Sequence, residues 1–214
     1  MKGIPRKEAL FYHQKLPKRL WRYFRSQGFS DEFVHRHLLG WDGKRITVPV
    51  FDPERELLFF EYLSDPQEGP VEVVEHKRPC ESFLYGYETL SARPERVILV
   101  KDVWDRLVLL SRGIASVAVV GDPAAFREEW SADFRGMQVV VVFPRTGKAH
   151  REATAVADKI GFVAVSQLPA PFAFYPPADA SVAAFFLSHG GTRREFLRLL
   201  PRLEENGPSG RRTA

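Results

Sequence analysis

The chain has 214 residues, 44% of them hydrophobic and 27% charged, with a mean hydropathy of −0.24. That is enough for one large domain or two small ones with a real core, and no apolar run approaches the roughly 20 residues of a membrane-spanning helix. A net charge of +4 and a pI near 9.3 permit a polyanionic partner without demanding one.

Residues 8–39 read as helical, with Leu10, Leu16, Leu20, Tyr23 and Phe24 at helical spacing and Gly28 ending the first helix. Ser30 is placed to cap the next one, with Asp31 and Glu32 favourable in its first turn. Residues 45–51 alternate and are β-branched, Asp52-Pro53-Glu54-Arg55 is a turn, and residues 56–63 return as an antiparallel strand. Val71 to Val74 forms a further short strand, and Leu84 to Leu90 leads into the second half. From Arg96 the pattern becomes strand 97–100, helix 103–112, strand 115–120, helix 124–134, strand 138–143, helix 149–160 and strand 162–166. Helices near 180–187 and 192–203 follow, and the tail 204–214 is expected to be disordered. Alternating strands and helices imply a mostly parallel sheet flanked by helices. No internal repeat is present.

Basic residues cluster at Lys15, Lys18, Arg19, Arg22 and Arg25, and again at Arg193, Arg194, Arg198 and Arg202. Both clusters read first as solvated helix faces. Cys80 is the single cysteine, which excludes an internal disulfide and a cysteine-built zinc site and suits a small apolar filler. No apolar signal core follows the basic segment Met1 to Lys7, so a cytoplasmic protein is expected. The six histidines show no metal-ligand spacing. Trp21, Trp41, Trp104 and Trp130 suit core or half-buried positions better than a stacking platform. Gly147-Lys148 is not a phosphate-binding loop, because Val142 and Ala149 stand where that motif wants a glycine and a Ser or Thr.

The order of elements, and five segments within it, resemble the catalytic core of DnaG-type bacterial DNA primases, whose second half is a Toprim domain. The resemblance covers about residues 17–200. Its carriers are Tyr23-Phe24-Arg25-Ser26-Gln27-Gly28-Phe29-Ser30, Leu39-Gly40-Trp41-Asp42-Gly43, the hairpin strand Arg45 to Asp52, Leu84-Tyr85-Gly86-Tyr87-Glu88, and the β-α-β run from Val97. It implies an α/β fold: a small α+β part over residues 1–92, then a Toprim-like α/β domain over 93–203. In the family's first acidic motif, Val-Glu-Gly-x-x-Asp, this chain has Val100-Lys101-Asp102-Val103-Trp104-Asp105. Asp105 matches the final aspartate, and Lys101 replaces the glutamate thought to act as general acid/base or metal ligand. In the second motif, Phe-Asp-x-Asp, it has Phe143-Pro144-Arg145-Thr146, without either aspartate. Asp179 matches one aspartate of a third acidic patch.

The resemblance therefore leaves Asp105 and Asp179 as the candidate metal ligands and makes Lys101, Pro144 and Thr146 degenerate positions. Mg²⁺ demands hard oxygen ligands, and an ammonium about 4 Å away opposes a divalent ion by about 8 kcal/mol at an effective dielectric near 20. The usual two-metal site is not expected, and no cofactor is expected unless a rearranged site takes Mg²⁺ or Mn²⁺. Asp102 and Asp122 are further carboxylates near this edge, although Asp122 reads first as a helix cap. Lys101, Arg145, Lys148, His150 and Arg151 sit where the family handles metal and phosphate, and are the candidates for binding nucleic-acid phosphate directly. The family's zinc-binding domain, which precedes its core, is not expected from this chain, whose single cysteine could not build it. Three readings stay open: a catalytically degenerate primase-like protein binding nucleic acid or a replication partner, a working primase or nucleotidyl transferase with a displaced metal site, and a protein-interaction module without a nucleic-acid role.

Overall fold

Two prolines set the first helices. α1 (Arg6–Gln14) follows Pro5 and α2 (Lys18–Ser26) follows Pro17, both prolines extended with ψ of 129° and 153°. The single helix expected through to Gly28 is therefore broken, because Pro17 lacks an N–H and disfavours helical backbone at Leu16. Leu10 lands on the outer face, 45% exposed, while α2 buries Leu20 and Phe24 completely. The Ser30 side chain caps α3 (Asp31–Arg36), accepting the Phe33 N–H at 3.0 Å. The computed structural model describes residues 5–75, 82–144, 147–161, 163–167 and 181–200. Cys80, Arg145, Thr146, Asp179 and the tail 204–214 lie outside the described residues.

The chain then forms an antiparallel sheet in the order β1-β2-β3-β4, built from β1 (Gly40–Trp41), β2 (Ile46–Phe51), β3 (Leu57–Leu63) and β4 (Val73–Glu75). The β2–β3 hairpin is the one its alternation specifies. A second sheet has the order β5-β7-β6-β8-β9, from β5 (Ser82–Tyr85), β6 (Arg96–Val100), β7 (Ser116–Gly121), β8 (Gln138–Phe143) and β9 (Val163–Gln167). β7, β6, β8 and β9 pair in parallel, and β5 pairs antiparallel with β7. The whole is thus a mixed α/β fold with one antiparallel and one mixed sheet.

The helices around the second sheet are α4 (Tyr87–Ser91), α5 (Val103–Ser111), α6 (Gly147–Ile160) and α7 (Arg193–Leu199). The helix expected over 124–134 is two 3₁₀ turns instead, Pro123–Ala125 and Glu128–Phe134. Phe126 between them is extended, with ψ of 126°. That break lets its ring meet Trp130 edge-on at 5.2 Å over the buried stripe of α6. The helix expected near 180–187 is a π-helical segment, Ala184–Ser188. Among the described residues no helix is long and apolar enough to cross a membrane.

One hydrophobic core runs through both sheets. It joins Leu20, Phe24, Phe29 and Val48 to Ile98, Val100, Trp104, Leu107 and Phe186. Phe29 and Trp104 stack across the junction, 5.3 Å apart and 6° from parallel. Arg112 ties the same junction, donating to the Gln27 carbonyl at 3.0 Å.

α5 is buried from Val103 to Leu109 and carries a guanidinium inside. Arg106 donates to the Ser116 carbonyl at 3.1 Å and to the Thr89 hydroxyl at 3.3 Å, pairs with Glu88, and lies 4.4 Å over the Tyr85 ring. The segment Tyr85-Gly86-Tyr87-Glu88 is folded around this one side chain. Gly86 has φ of +118°, and a Cβ there would stand 2.5 Å from Arg106 Nε. Gly86→Ala should therefore cost about 2–4 kcal/mol in urea unfolding, from left-handed backbone and overpacking together. The cost should shrink markedly in an Arg106→Met background. An additive double variant would show that only backbone strain is involved.

Candidate functional site

Parallel α/β sheets build sites beyond the carboxyl ends of their strands. Here Lys101 follows β6, Gly121 ends β7 and Pro144 follows β8, and all three line one cleft of about 700 Å³. Its opposite wall comes from the first part of the chain: Tyr23 and Gln27 of α2 and the loop Pro66 to Val73. Ser181 to Ser188 close it from the C-terminal side. Arg19 holds the loop against α2 by a bidentate bond to Asp65, at 2.7 and 2.6 Å. The Ser64 hydroxyl bridges the loop's base, donating to the Pro70 carbonyl and accepting the Glu72 N–H.

Lys101 does not project freely. Its ammonium donates to Glu152 on α6 at 2.6 Å, and Lys148 flanks the same carboxylate at 3.7 Å. Glu152 is 11% exposed, Lys101 30% and Lys148 79%. The three form an internal cation–anion–cation row joining the end of β6 to the first turns of α6. Arg151 is exposed beside them. His150 stands about 200° round the helix from Lys148, across the buried stripe of Ala149 and Ala153. The structure thus brings Lys101, Lys148 and Arg151 together and sets His150 apart. Pro144 is half-buried at the cleft edge and offers no side-chain ligand atom.

Asp102 and Asp105 are used by the fold. Asp102 caps α5, its Oδ1 accepting the Asp105 N–H at 2.8 Å. Asp105 is 1% exposed, and its Oδ1 accepts the Ala183 N–H at 2.7 Å. Burial, and then the neighbouring Asp102, push the Asp105 carboxyl well above the usual carboxylate range. Burial also pushes Asp102 upward, with the Glu61 carboxylate adding to the effect. Asp122 caps the 3₁₀ turn after β7, accepting the Ala124 N–H at 3.0 Å. Burial raises the Tyr23 hydroxyl on the facing wall to about 12, so it stays neutral.

The described residues at this edge do not fit a divalent metal. Burial pushes the Asp105 carboxyl well above the usual carboxylate range, Glu152 is paired with two ammonium groups, and Lys101 places a positive charge at the end of β6. No group of three or more His, Cys, Asp or Glu able to hold a metal ion occurs among the described residues. What the edge offers instead is cationic: Lys101 and Lys148 around one carboxylate, with Arg151 exposed on the same turn of α6. Glu152 is the residue the motif reading missed. Its signal was the spacing Lys148-x-x-x-Glu152 on a helix whose first turn meets β6.

No protein-family model matches the sequence, and no curated protein matches it significantly. Solved structures do match. The Escherichia coli primase catalytic core aligns over 91% of this chain and 77% of its own, at 16% identity and a TM-score of 0.65. A DNA primase domain from Pseudomonas aeruginosa aligns over 85% and 73%, at 17% identity and 0.62. A chain of the bacteriophage T7 complex of lagging-strand DNA polymerase with two primase domains, bound to an RNA/DNA hybrid and dTTP, aligns over 82% and 88%, at 14% identity and 0.53. The fold is that of the DnaG-type primase catalytic core.

The raised Asp102 and Asp105 carboxyls have a signed consequence. Groups whose folded-state pKa lies above the unfolded value contribute most below about pH 4, and that contribution is lost as pH rises toward the folded value. Asp105→Asn keeps an oxygen for the Ala183 N–H and cannot ionise. Its stability relative to the parent, from urea midpoints, should climb between pH 4 and pH 8 and exceed the parent at the upper end. A relative stability that is flat or falls with pH contradicts a protonation-favouring Asp105.

Proposed function

We propose that this chain is a Toprim-type, primase-like protein that binds single-stranded nucleic acid in the cleft between its two sheets, without nucleotidyl transfer. The reading rests on the primase-core fold and on one observation above all, the Lys101–Glu152 ion pair at the end of β6. A transferase needs metal-bound oxygens there to neutralise developing charge. This chain puts an ammonium in that place and binds it to its own glutamate.

Phosphate suits such an edge. Lys148 and Arg151 stand exposed beside the start of α6, whose first amide groups and positive dipole end also favour anions. Lys101 adds charge beside the cleft, and Arg145, which lies outside the described residues, stays in the proposal as a sequence candidate. The facing wall supplies Tyr23 and Gln27, a neutral aromatic and an amide suited to bases and sugars. A strand held this way is gripped by its backbone, with little sequence preference. A replication protein is the kind of partner that would meet it there.

Fluorescence anisotropy with a labelled single-stranded oligonucleotide, in EDTA, tests the proposal. Affinity should fall steeply with salt, by about 0.7 logarithmic units per phosphate contact for each tenfold rise. Lys148→Ala and Arg151→Ala should each lower it about 3–10-fold and reduce the salt slope by about one contact. No binding at low salt removes the proposal. Primer synthesis that Asp105→Ala abolishes would replace it with a working enzyme.

A further inference from the structure

A second cleft of about 480 Å³ shares no lining residue with the first. It lies at the other end of β5. Ser82 pairs opposite Gly121 at the carboxyl end of β7 and Tyr85 opposite Ala118, so the chain is moving away from the phosphate edge as it reaches this cleft. Its walls are the β2–β3 turn, the end of α3 and the β5–α4 junction, with Arg6 of α1 at the mouth.

The charges of this cleft divide unequally. Its two carboxylates are already committed. Asp52 accepts the Glu56 N–H at 2.7 Å, closing the hairpin turn, and Glu88 pairs with the buried Arg106. Of its three guanidinium groups, Arg36 donates to Glu32 at 2.7 Å. Arg6 and Arg55 have no carboxylate partner among the described residues. The two guanidinium groups without a carboxylate partner, Arg6 and Arg55, outnumber Asp52, the one lining carboxylate without a cationic partner among the described residues, so the cleft favours an anion.

The remaining walls are planar and uncharged. Burial, and then the nearby Arg106 charge, push the His37 imidazole down to about 4, so it is neutral at physiological pH. Phe33 packs on its ring with centroids 4.3 Å apart. Tyr87, half-buried, has its hydroxyl raised to about 12 by burial and also stays neutral. Leu38 and Arg55 both have positive φ, 48° and 66°, two of the three such non-glycine residues among those described. Both line this cleft. Backbone of that kind persists where surrounding structure imposes it.

We propose that this cleft binds a nucleoside monophosphate, its phosphate held by Arg6 and Arg55 and its base against Tyr87 and His37. A cavity of this size suits one small ligand rather than a polymer. The site shares no lining residue with the strand-binding cleft, so a free nucleotide would occupy it without displacing a bound strand.

Isothermal titration of the full chain with adenosine monophosphate, ribose 5-phosphate and inorganic phosphate tests this. One adenosine monophosphate should bind, at least about tenfold more tightly than either control, since base stacking contributes about 1–3 kcal/mol. Arg55→Gly removes the guanidinium while suiting the positive φ, so the fold is kept, and should weaken binding about tenfold or more. Arg6→Ala should act in the same direction, and Lys148→Ala should change nothing. Equal binding of inorganic phosphate would reduce the site to an anion patch and overturn the proposal. So would loss of binding in Lys148→Ala alone, displacement of the nucleotide by a single-stranded oligonucleotide, or no heat of binding at millimolar ligand.

Discussion

Helix α5 buries two ionisable side chains side by side, and the rest of the structure is arranged to make that tolerable. An uncompensated buried charge costs several kcal/mol. Arg106 is therefore wrapped by the Ser116 carbonyl, Thr89, Glu88 and the Tyr85 ring. This accounts for Gly86, for the short helix α4 and for the antiparallel β5 that delivers them. Asp105 meets its constraint differently. Burial pushes its carboxyl well above the usual range, and it accepts a backbone N–H from Ala183, which pins the Ser181 to Ser188 segment over the cleft. The two neighbours point about 100° apart around one helix and fix opposite ends of the second sheet.

The same helix explains why the carboxyl edge is poor in available negative charge. Asp102 is occupied as a cap and Asp105 as an interior acceptor. Lys101, next in line, finds its counter-charge on α6 instead of on a bound ion. A divalent cation entering between them would face the Lys101 and Lys148 ammonium groups at once, at about 8 kcal/mol for each one 4 Å away, before any ligand is desolvated. Phosphate meets the reverse situation. The edge thus has the primase-core fold with its described carboxylates already engaged and its ammonium groups facing the same cleft edge.

Much of this was legible in the residues. The alternation of Arg45 to Phe51 and Glu56 to Leu63 gave the hairpin, and apolar runs gave the four parallel strands nearly to the residue. Ser30 and Asp122 announced their caps. What failed did so for local reasons. The leucine periodicity across Lys15 to Pro17 outweighed a proline that no helix accommodates there. Phe126, Trp130 and Phe134 imitate a helix stripe, yet pack through 3₁₀ turns. The burial of Arg106 was invisible because an arginine in an apolar helix reads as its outer face. At the site, the motif comparison located Lys101, Asp105 and Pro144, but no single segment reveals that Lys101 and Glu152 meet, 51 residues apart. The second cleft is harder still, since α1, the end of α3, the β2–β3 turn, β5 and α4 each contribute one to four residues that look like ordinary surface.

The central claim is that the carboxyl edge is held together by its own ion pair and is not a divalent-metal site. Titration of the full chain with Mn²⁺ at pH 7.5, following free ion by electron paramagnetic resonance, tests it most directly. The account expects no site tighter than about 1 mM, and a Lys101→Glu exchange that loosens the fold in chelator. One stoichiometric Mn²⁺ bound with micromolar affinity by the unaltered chain, and lost in Asp105→Asn, would contradict it.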